Sequence, residues 1–377
     1  MSQVKSINKE NLRIARENMG LNTQSASKQI SASKTNLIEE WETGESLPTW
    51  AQVSKLAKLY NISELLFFAN ELLTKSKVIP DYRVGANHEN DEKVKKLINL
   101  VISRQKWLEH EYKEGNLGKN TVLGLGKNIN QPKKLAALIV ETLDIRIQDI
   151  KDITGSDARK KALSYLIKKA EAKGVFVGKT ISYIDLEVDD IRGLFVSNEY
   201  CPFIVINRRD AVSAQIFSFV HELAHLFRKS DAISNSLDFR TKSNGVNAEE
   251  VLCNKVAAEL LLPEEEFTES YYEKKGIDRL SNIHKVSKLF IFYRLKELGK
   301  IHKEIQNELE KEIQLESRQG VEIKKAMENG KQGGNYTNSM KDSNGALFNK
   351  TISKAYLENK IGYIEASKLL RFSVEKA

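Results

Sequence analysis

Residues 219–227 read FVHELAHLF, and how these nine residues are read decides the class of the whole central region. They hold the only HExxH of the chain. On a helix, residues four apart share a face, so His221 and His225 can aim two imidazoles at one metal ion. Glu222 is offset by one position, which lets its carboxylate reach the water such a metal activates. A catalytic zinc centre needs three protein ligands and one open position, so a third ligand has to come from elsewhere.

The neighbouring sequence supports a buried helix. Three of the four residues just before the motif, FSFV, are apolar, and two histidines on a buried helix need partners for their ring nitrogens. The helix is placed at about residues 211–228. Upstream, from about residue 174, GVFVGKTISYIDL, IRGLFVSN and PFIVIN are short, β-branched and separated by turn residues, with Asn198 and Glu199 set like a hairpin turn. A small antiparallel sheet is expected there. Downstream, SDAISNSLDFRTKSNG reads as a loop, and a second helix over residues 247–262 stops at Pro263.

Two sources of a third ligand present themselves. The metzincin pattern would place Gly at 228 and His at 231, where this chain has Arg228 and Asp231; that subclass is disfavoured, although Asp231 has a coordinating side chain. The other source is a glutamate on the second helix, in NAEEVLCNKVAAELLLP. Glu250, Asn254, Ala257 and Leu261 share a face of it, while Glu249 leads to Leu252 and Val256. Helical geometry alone does not choose between Glu249 and Glu250.

The two stretches together resemble a known family. INRRDAVSAQIFSFVHELAHLF followed by EEVLCNKVAAELLLP is similar to the ImmA/IrrE metallopeptidases: a strand ending in Asn, a short gap, an HExxH helix, then E-x-x-[AC]-N-x-x-A-x-x-L-L-x-P. The resemblance covers roughly residues 131–300. It implies His221, His225 and Glu250 as ligands of Zn2+, Glu222 as general base, and Asn254 as the residue that orients the Glu250 carboxylate. Val256 departs from the family, which often has an aromatic there. The reaction implied is metal-assisted peptide hydrolysis, and the substrate implied is a regulatory protein such as a repressor or antitoxin in a stress, phage or mobile-element response. The alternative is a repressor or antitoxin whose peptidase-like domain is a non-cleaving sensor or partner-binding module.

The amino-terminal 70 residues carry a different texture. KENLRIARENMG ends at Gly20, TQSASKQI opens with Thr23, SKTNLIEEWETG ends at Gly44, and WAQVSKLAKLY and ISELLFF follow Pro48, so five short helices are expected. Residues 11–68 resemble the Cro/phage-repressor type of helix-turn-helix domain, through LRIARENMGLNTQ, NLIEEWETGESLP and VSKLAKLYNIS. That resemblance implies double-stranded DNA as partner, with Ser33, Lys34, Thr35 and Asn36 at base edges and Gln24 at a phosphate or outer base. The second helix departs from the family, with Ser and Lys where Leu and Ala usually pack. Residues 1–70 hold eight Lys/Arg and seven Asp/Glu, a balance of +1. Phosphate contacts dominate DNA affinity, so a module this neutral binds weakly unless it forms a homodimer or another domain helps.

The whole chain, 377 residues with a net charge of +8, is long enough for two or three domains. No apolar run approaches the roughly 18 residues of a membrane span. The start, MSQVKSINKE, lacks a secretory segment, and Cys201 and Cys253 are too few for a disulfide framework, so no membrane partner and a reducing cytoplasm are expected. The expected fold is multidomain and mainly α. It comprises an all-α helix-turn-helix domain over 1–70, a helical connector over 71–130, an α+β zincin-like metallopeptidase domain over 131–310, and a helix, linker and short helical tail over 311–377.

Overall fold

A computed structural model describes residues 3–19, 21–31, 34–60, 62, 64–70, 88–181, 184, 186–230, 232–234, 248–267, 274–329 and 335–376. The chain divides into two compact units, the first running from the amino terminus to about residue 106 and the second from Trp107 onward.

In the first unit, α1 (Lys9–Asn18), α2 (Thr23–Ile30), α3 (Leu37–Thr43), α4 (Trp50–Tyr60) and a 3-10 turn (Glu64–Phe67) match the five short segments expected from the sequence. Asn8 and Asn22 cap α1 and α2 by accepting from the backbone N–H three residues on. Gly44 ends α3 in the left-handed region at φ 87°, where a side chain would be strained. Leu12, Met19, Ile38, Trp41, Val53, Leu56, Tyr60 and Phe67 form one buried core. Two polar contacts lock it. Arg16 donates to both carboxylate oxygens of Glu42, at 2.7 and 2.8 Å. Ser27, one of the serines that depart from the family pattern, is buried; its hydroxyl accepts from the Ile38 N–H at 3.0 Å and donates to the Thr23 carbonyl at 2.7 Å. The small polar residue thus serves the start of α3. The long helix α5 (His88–Glu114) follows.

The second unit begins with α6 (Pro132–Thr142), α7 (Ile147–Asp152) and α8 (Ala158–Glu171), then β1 (Phe176–Lys179), β2 (Gly193–Val196) and β3 (Phe203–Ile206). The HExxH helix is α9 (Val212–Arg228), followed by β4 (Ala232–Ser234) and α10 (Ala248–Leu261). After a 3-10 turn at Glu264–Glu266 come α11 (Lys274–His284), α12 (Lys288–Glu297), α13 (Lys303–Asn329), α14 (Tyr336–Asn344), α15 (Ala346–Leu357) and α16 (Tyr363–Leu370).

The sheet has the order β1-β3-β2-β4, and it is mixed rather than antiparallel. The expected hairpin is there: β2 and β3 are antiparallel, Val196 opposite Phe203. β1 runs parallel to β3, with Phe176 opposite Phe203 and Val177 opposite Ile204, a non-local pairing that no turn signal announces. β4 was expected as loop. Its three residues pair antiparallel with β2, Ala232 opposite Phe195 and Ser234 opposite Gly193, so the partner strand rather than local propensity makes it extended.

Both β2 and β3 are buried on every residue, which fits their continuous apolar sequence. One face, with Val177, Phe195, Ile204 and Ile206, joins the core formed by α9, α10, α6 and α8. On the other, Phe176 stacks on Phe203 at 5.1 Å and Phe348 of α15 meets Phe203 edge-on at 6.1 Å. The carboxyl-terminal helices therefore pack on the sheet. α14 and α15 both lie against β1, where Lys179 pairs with Asp342 at 2.9 Å and the Ser343 hydroxyl donates to the Thr180 carbonyl at 3.3 Å. The chain passes between those helices at Gly345, φ 85°, so close to the Val177 carbonyl that no β-carbon fits.

Candidate metal centre

The local sequence makes α9 a helix buried almost throughout: every residue from Ala214 to Phe227 is buried. Ala211 precedes it in extended conformation and Lys229 ends it in the left-handed region, at φ 56° and ψ 40°. Its last carbonyls are met by the Gly/Asn-rich segment before α6, where the Gly124 N–H donates to Leu226 O at 3.0 Å and the Gly126 N–H to Phe227 O at 2.9 Å. Packed across α9 lies α10.

This crossing brings three ligating side chains to one point. His221 Nε2 and His225 Nε2 are 3.0 Å apart, Glu250 Oε2 is 3.2 Å from His221 Nε2, and Glu250 Oε1 is 3.1 Å from His225 Nε2. Two donors each about 2.1 Å from a tetrahedral zinc stand about 3.4 Å apart, so this donor set fits such an ion with a shift of a few tenths of an ångström. Both imidazoles are buried and the carboxylate is 15% exposed.

The charges of the cluster respond to one another. Burial would raise the Glu250 pKa, but its close contacts with the two histidines and their charge hold it far below the ordinary carboxylate range. Burial presses His221 down, yet the Glu250 hydrogen bond and charge, aided by Glu222 and Asn254, carry it above its ordinary value. For His225, burial and the neighbouring His221 charge prevail and the pKa falls. Metal binding needs both imidazoles unprotonated at the donor nitrogen, so it competes with the raised proton affinity of His221.

Glu222 is fully buried and stands against β2. A β-carbon on Gly193 would come within 2.9 Å of Glu222 Cγ and Cδ and closer still to Oε1. Gly193 carries no positive φ, so the glycine is there for space and not for backbone freedom. It is a cradle for the carboxylate that the sequence reading did not identify; a Gly opening a β-rich segment next to HExxH is the only available hint.

Glu249 and Glu250, adjacent in sequence, part ways. Glu249 faces Arg228, which donates to its two oxygens at 2.9 and 3.0 Å, and accepts from the Ser230 hydroxyl at 3.1 Å. Asn254, one turn along α10 from Glu250, helps hold the His221 pKa above its ordinary value. Cys253 is buried, with Sγ 3.5 Å from His225 Nδ1; burial holds its thiol well above the ordinary pKa, so it is a protonated packing residue. His225, Glu249 and Cys253 form a second ligand trio by distance, but Arg228 already neutralises its carboxylate. Asp231 lies outside the described residues.

Comparison with known families agrees with this geometry. Residues 177–296 match the IrrE N-terminal-like domain, Peptidase_M78. The matched segment runs from β1 to α12, so the IrrE-like domain holds the sheet, the HExxH helix and the glutamate helix together. It is a peptidase domain in which His221, His225 and the downstream Glu250 are arranged so that they could hold a metal ion. No curated protein and no solved structure matches the chain.

The residues expected at DNA lie apart from this domain in sequence. Gln24, Lys34, Thr35 and Asn36 are all exposed, and Ser33 lies outside the described residues. Helix α3 begins at Leu37, with Asn36 at its cap position, so Lys34, Thr35 and Asn36 precede the helix rather than occupying its first turn. Among the described residues, no helix is long and apolar enough to cross a membrane.

Proposed function

We propose that the protein is a zinc-dependent endopeptidase that cleaves a specific regulatory protein, a repressor or antitoxin, in a stress, phage or mobile-element response. The observation that carries this reading is the convergence of His221, His225 and Glu250 on one point, with the Glu222 carboxylate seated beside them. A zinc ion held there supplies Lewis acidity, polarising the scissile carbonyl and lowering the pKa of the attacking water. The chain's own residues do the rest. Glu222 accepts the proton of the water as its oxygen attacks the carbonyl carbon, and returns it to the departing amine as the C–N bond breaks. His221 and His225 serve as neutral nitrogen donors and Glu250 as the anionic one. The retained and sterically accommodated Glu222 favours cleavage over a purely sensing role, because partner binding has no chemical need for that carboxylate.

The amino-terminal unit is proposed to bind double-stranded DNA through the exposed Gln24, Lys34, Thr35 and Asn36, as a homodimer that compensates for its near-neutral charge. The test of the enzymatic reading is cleavage of the product of the adjacent gene by zinc-loaded protein, with Glu222→Gln as control. Equal cleavage by that variant, or none by the parent against a broad peptide library, sinks it. The DNA reading is tested by gel shift on DNA upstream of its own gene; binding that ignores salt concentration contradicts phosphate contact.

A further inference from the structure

The inference rests on the metal reading above and concerns what holds His225 in a state able to donate. We propose that Ser230 and Glu249, with Arg228, are positioning residues that fix the tautomer and orientation of His225 through a directed hydrogen-bond relay.

The direction follows from the donors available. Arg228 has no acceptor, so it donates through Nε to Glu249 Oε1 at 2.9 Å and through Nη2 to Oε2 at 3.0 Å, fixing Glu249 as a carboxylate. An ionised carboxylate only accepts. The 3.1 Å contact between Ser230 Oγ and Glu249 Oε1 is therefore donated by the serine hydroxyl. A hydroxyl has a single proton, so its remaining contact, 2.9 Å to His225 Nδ1, is one in which Ser230 accepts. Nδ1 must then carry the hydrogen. That leaves the His225 Nε2 lone pair facing His221 and Glu250, the state a metal donor requires.

The backbone is built to deliver Ser230 to this position. Lys229 takes the left-handed conformation that ends α9 and turns the chain back, and the Ser230 N–H donates to the His225 carbonyl at 3.0 Å. One residue thus grips both the carbonyl and the ring of His225. Arg228 is held from the far side, donating through Nη1 to the carbonyls of Lys127 and Ile129. The relay is partly buried, with side-chain exposures of 13% for Arg228 and 24% for Glu249, so water competes poorly for it. Arg228, which marks the departure from the metzincin pattern, belongs to this support instead.

The experiment compares the full-length protein with Ser230→Ala, Ser230→Thr, Glu249→Gln, His225→Ala and Glu250→Ala. Zinc affinity is measured by competition with a chromophoric chelator, and the metal-free variants are checked for folding by circular dichroism. Ser230→Ala and Glu249→Gln are expected to bind zinc about 10–100-fold more weakly, the usual loss when such outer partners are removed. Ser230→Thr keeps the hydroxyl and should recover most of that loss. As a readout that general destabilisation does not move, the Nδ1–H proton of His225 in the zinc-loaded protein should appear as a downfield, exchange-protected NMR resonance, absent in Ser230→Ala. Failure of the wild-type protein to bind zinc defeats the metal reading and this proposal with it. Loss of zinc in His225→Ala and Glu250→Ala, with parental affinity and an unchanged resonance in Ser230→Ala and Glu249→Gln, leaves the metal reading intact and overturns the relay.

Discussion

Replacing Gly193 with alanine should separate metal binding from proton transfer. The new methyl group would lie 2.9 Å from Cγ and Cδ of Glu222, where ordinary van der Waals contact begins at about 3.4 Å. Glu222 must therefore retreat by roughly half an ångström to an ångström within a fully buried site, because Gly193 is held in β2 by pairing with both Ile206 and Ser234. Displacements of about 1 Å in a catalytic group cost on the order of 100-fold, so the cleavage rate should fall by about 10–100-fold, or about 1.4–2.8 kcal/mol of barrier. Zinc occupancy should stay at the parental level, since the three atoms nearest the added carbon all belong to Glu222.

The same clash has a readout that needs no substrate. Overpacking of this kind typically costs about 1–3 kcal/mol, offset by about 0.4–1 kcal/mol from removing a glycine from the unfolded chain. If the collision with Glu222 is the cause, Gly193→Ala should destabilise the metal-free protein in the parental background and be neutral or stabilising beside Glu222→Ala. Chemical denaturation of the four proteins of that cycle measures the coupling. Equal destabilisation in both backgrounds, or parental cleavage by Gly193→Ala, refutes the cradle.

Other outcomes follow from the same contacts. Glu222→Gln should retain zinc and lose cleavage, and Glu250→Ala should lose zinc while Cys253→Ala keeps it; metal analysis of purified proteins checks all three, and zinc loss in Cys253→Ala would point to the other ligand trio. Phe348→Ala, which empties a fully buried site against Phe203, should cost about 3–5 kcal/mol in chemical denaturation, and a loss below 1 kcal/mol would mean that α15 adds little to the sheet. Acid should weaken the protein in part through Glu249. Burial alone would raise its pKa, but Arg228 and Ser230 outweigh that and lower it, so its contribution is complete above the unfolded value of about 4.3 and fades as pH falls through the lower folded one. Glu249→Gln should flatten that part of the acid limb for metal-free protein, and an unaltered pH slope would contradict the assignment.

The parts of this molecule written in local spacing were legible. An i,i+4 pair of histidines, an apolar run around them and a proline stop fixed α9 and α10 to within a residue or two, because helices are set by neighbours in sequence. The parallel pairing of β1 with β3 and the extension of residues 232–234 were not, since both depend on partners far along the chain. Glu249 against Glu250 was open for a related reason. Adjacent helix positions point about 100° apart, and only the crossing of α10 over α9 decides which carboxylate meets the imidazoles. Ser230 and Gly193 were missed because each acts through a contact to another residue of the site, and no motif includes them.

That crossing also explains why the site draws on so much of the second unit. His225 is fixed at its ring by Ser230, Ser230 by the left-handed turn at Lys229, and that turn is packed beneath Gly124, whose N–H caps α9 at Leu226. Glu222 is fixed by β2, and β3, paired with β2, is covered on its far face by Phe348 from the carboxyl-terminal helices. A donor cluster assembled from two crossing helices has no stiffness of its own beyond their packing, and small rotations of either would spread donors now 3.0–3.2 Å apart. The Gly/Asn-rich segment at one end of α9 and the tail-backed sheet along its side supply that stiffness. Changes in either, although remote from the ligands in sequence, are therefore expected to register first in zinc affinity and only later in the global stability of the fold.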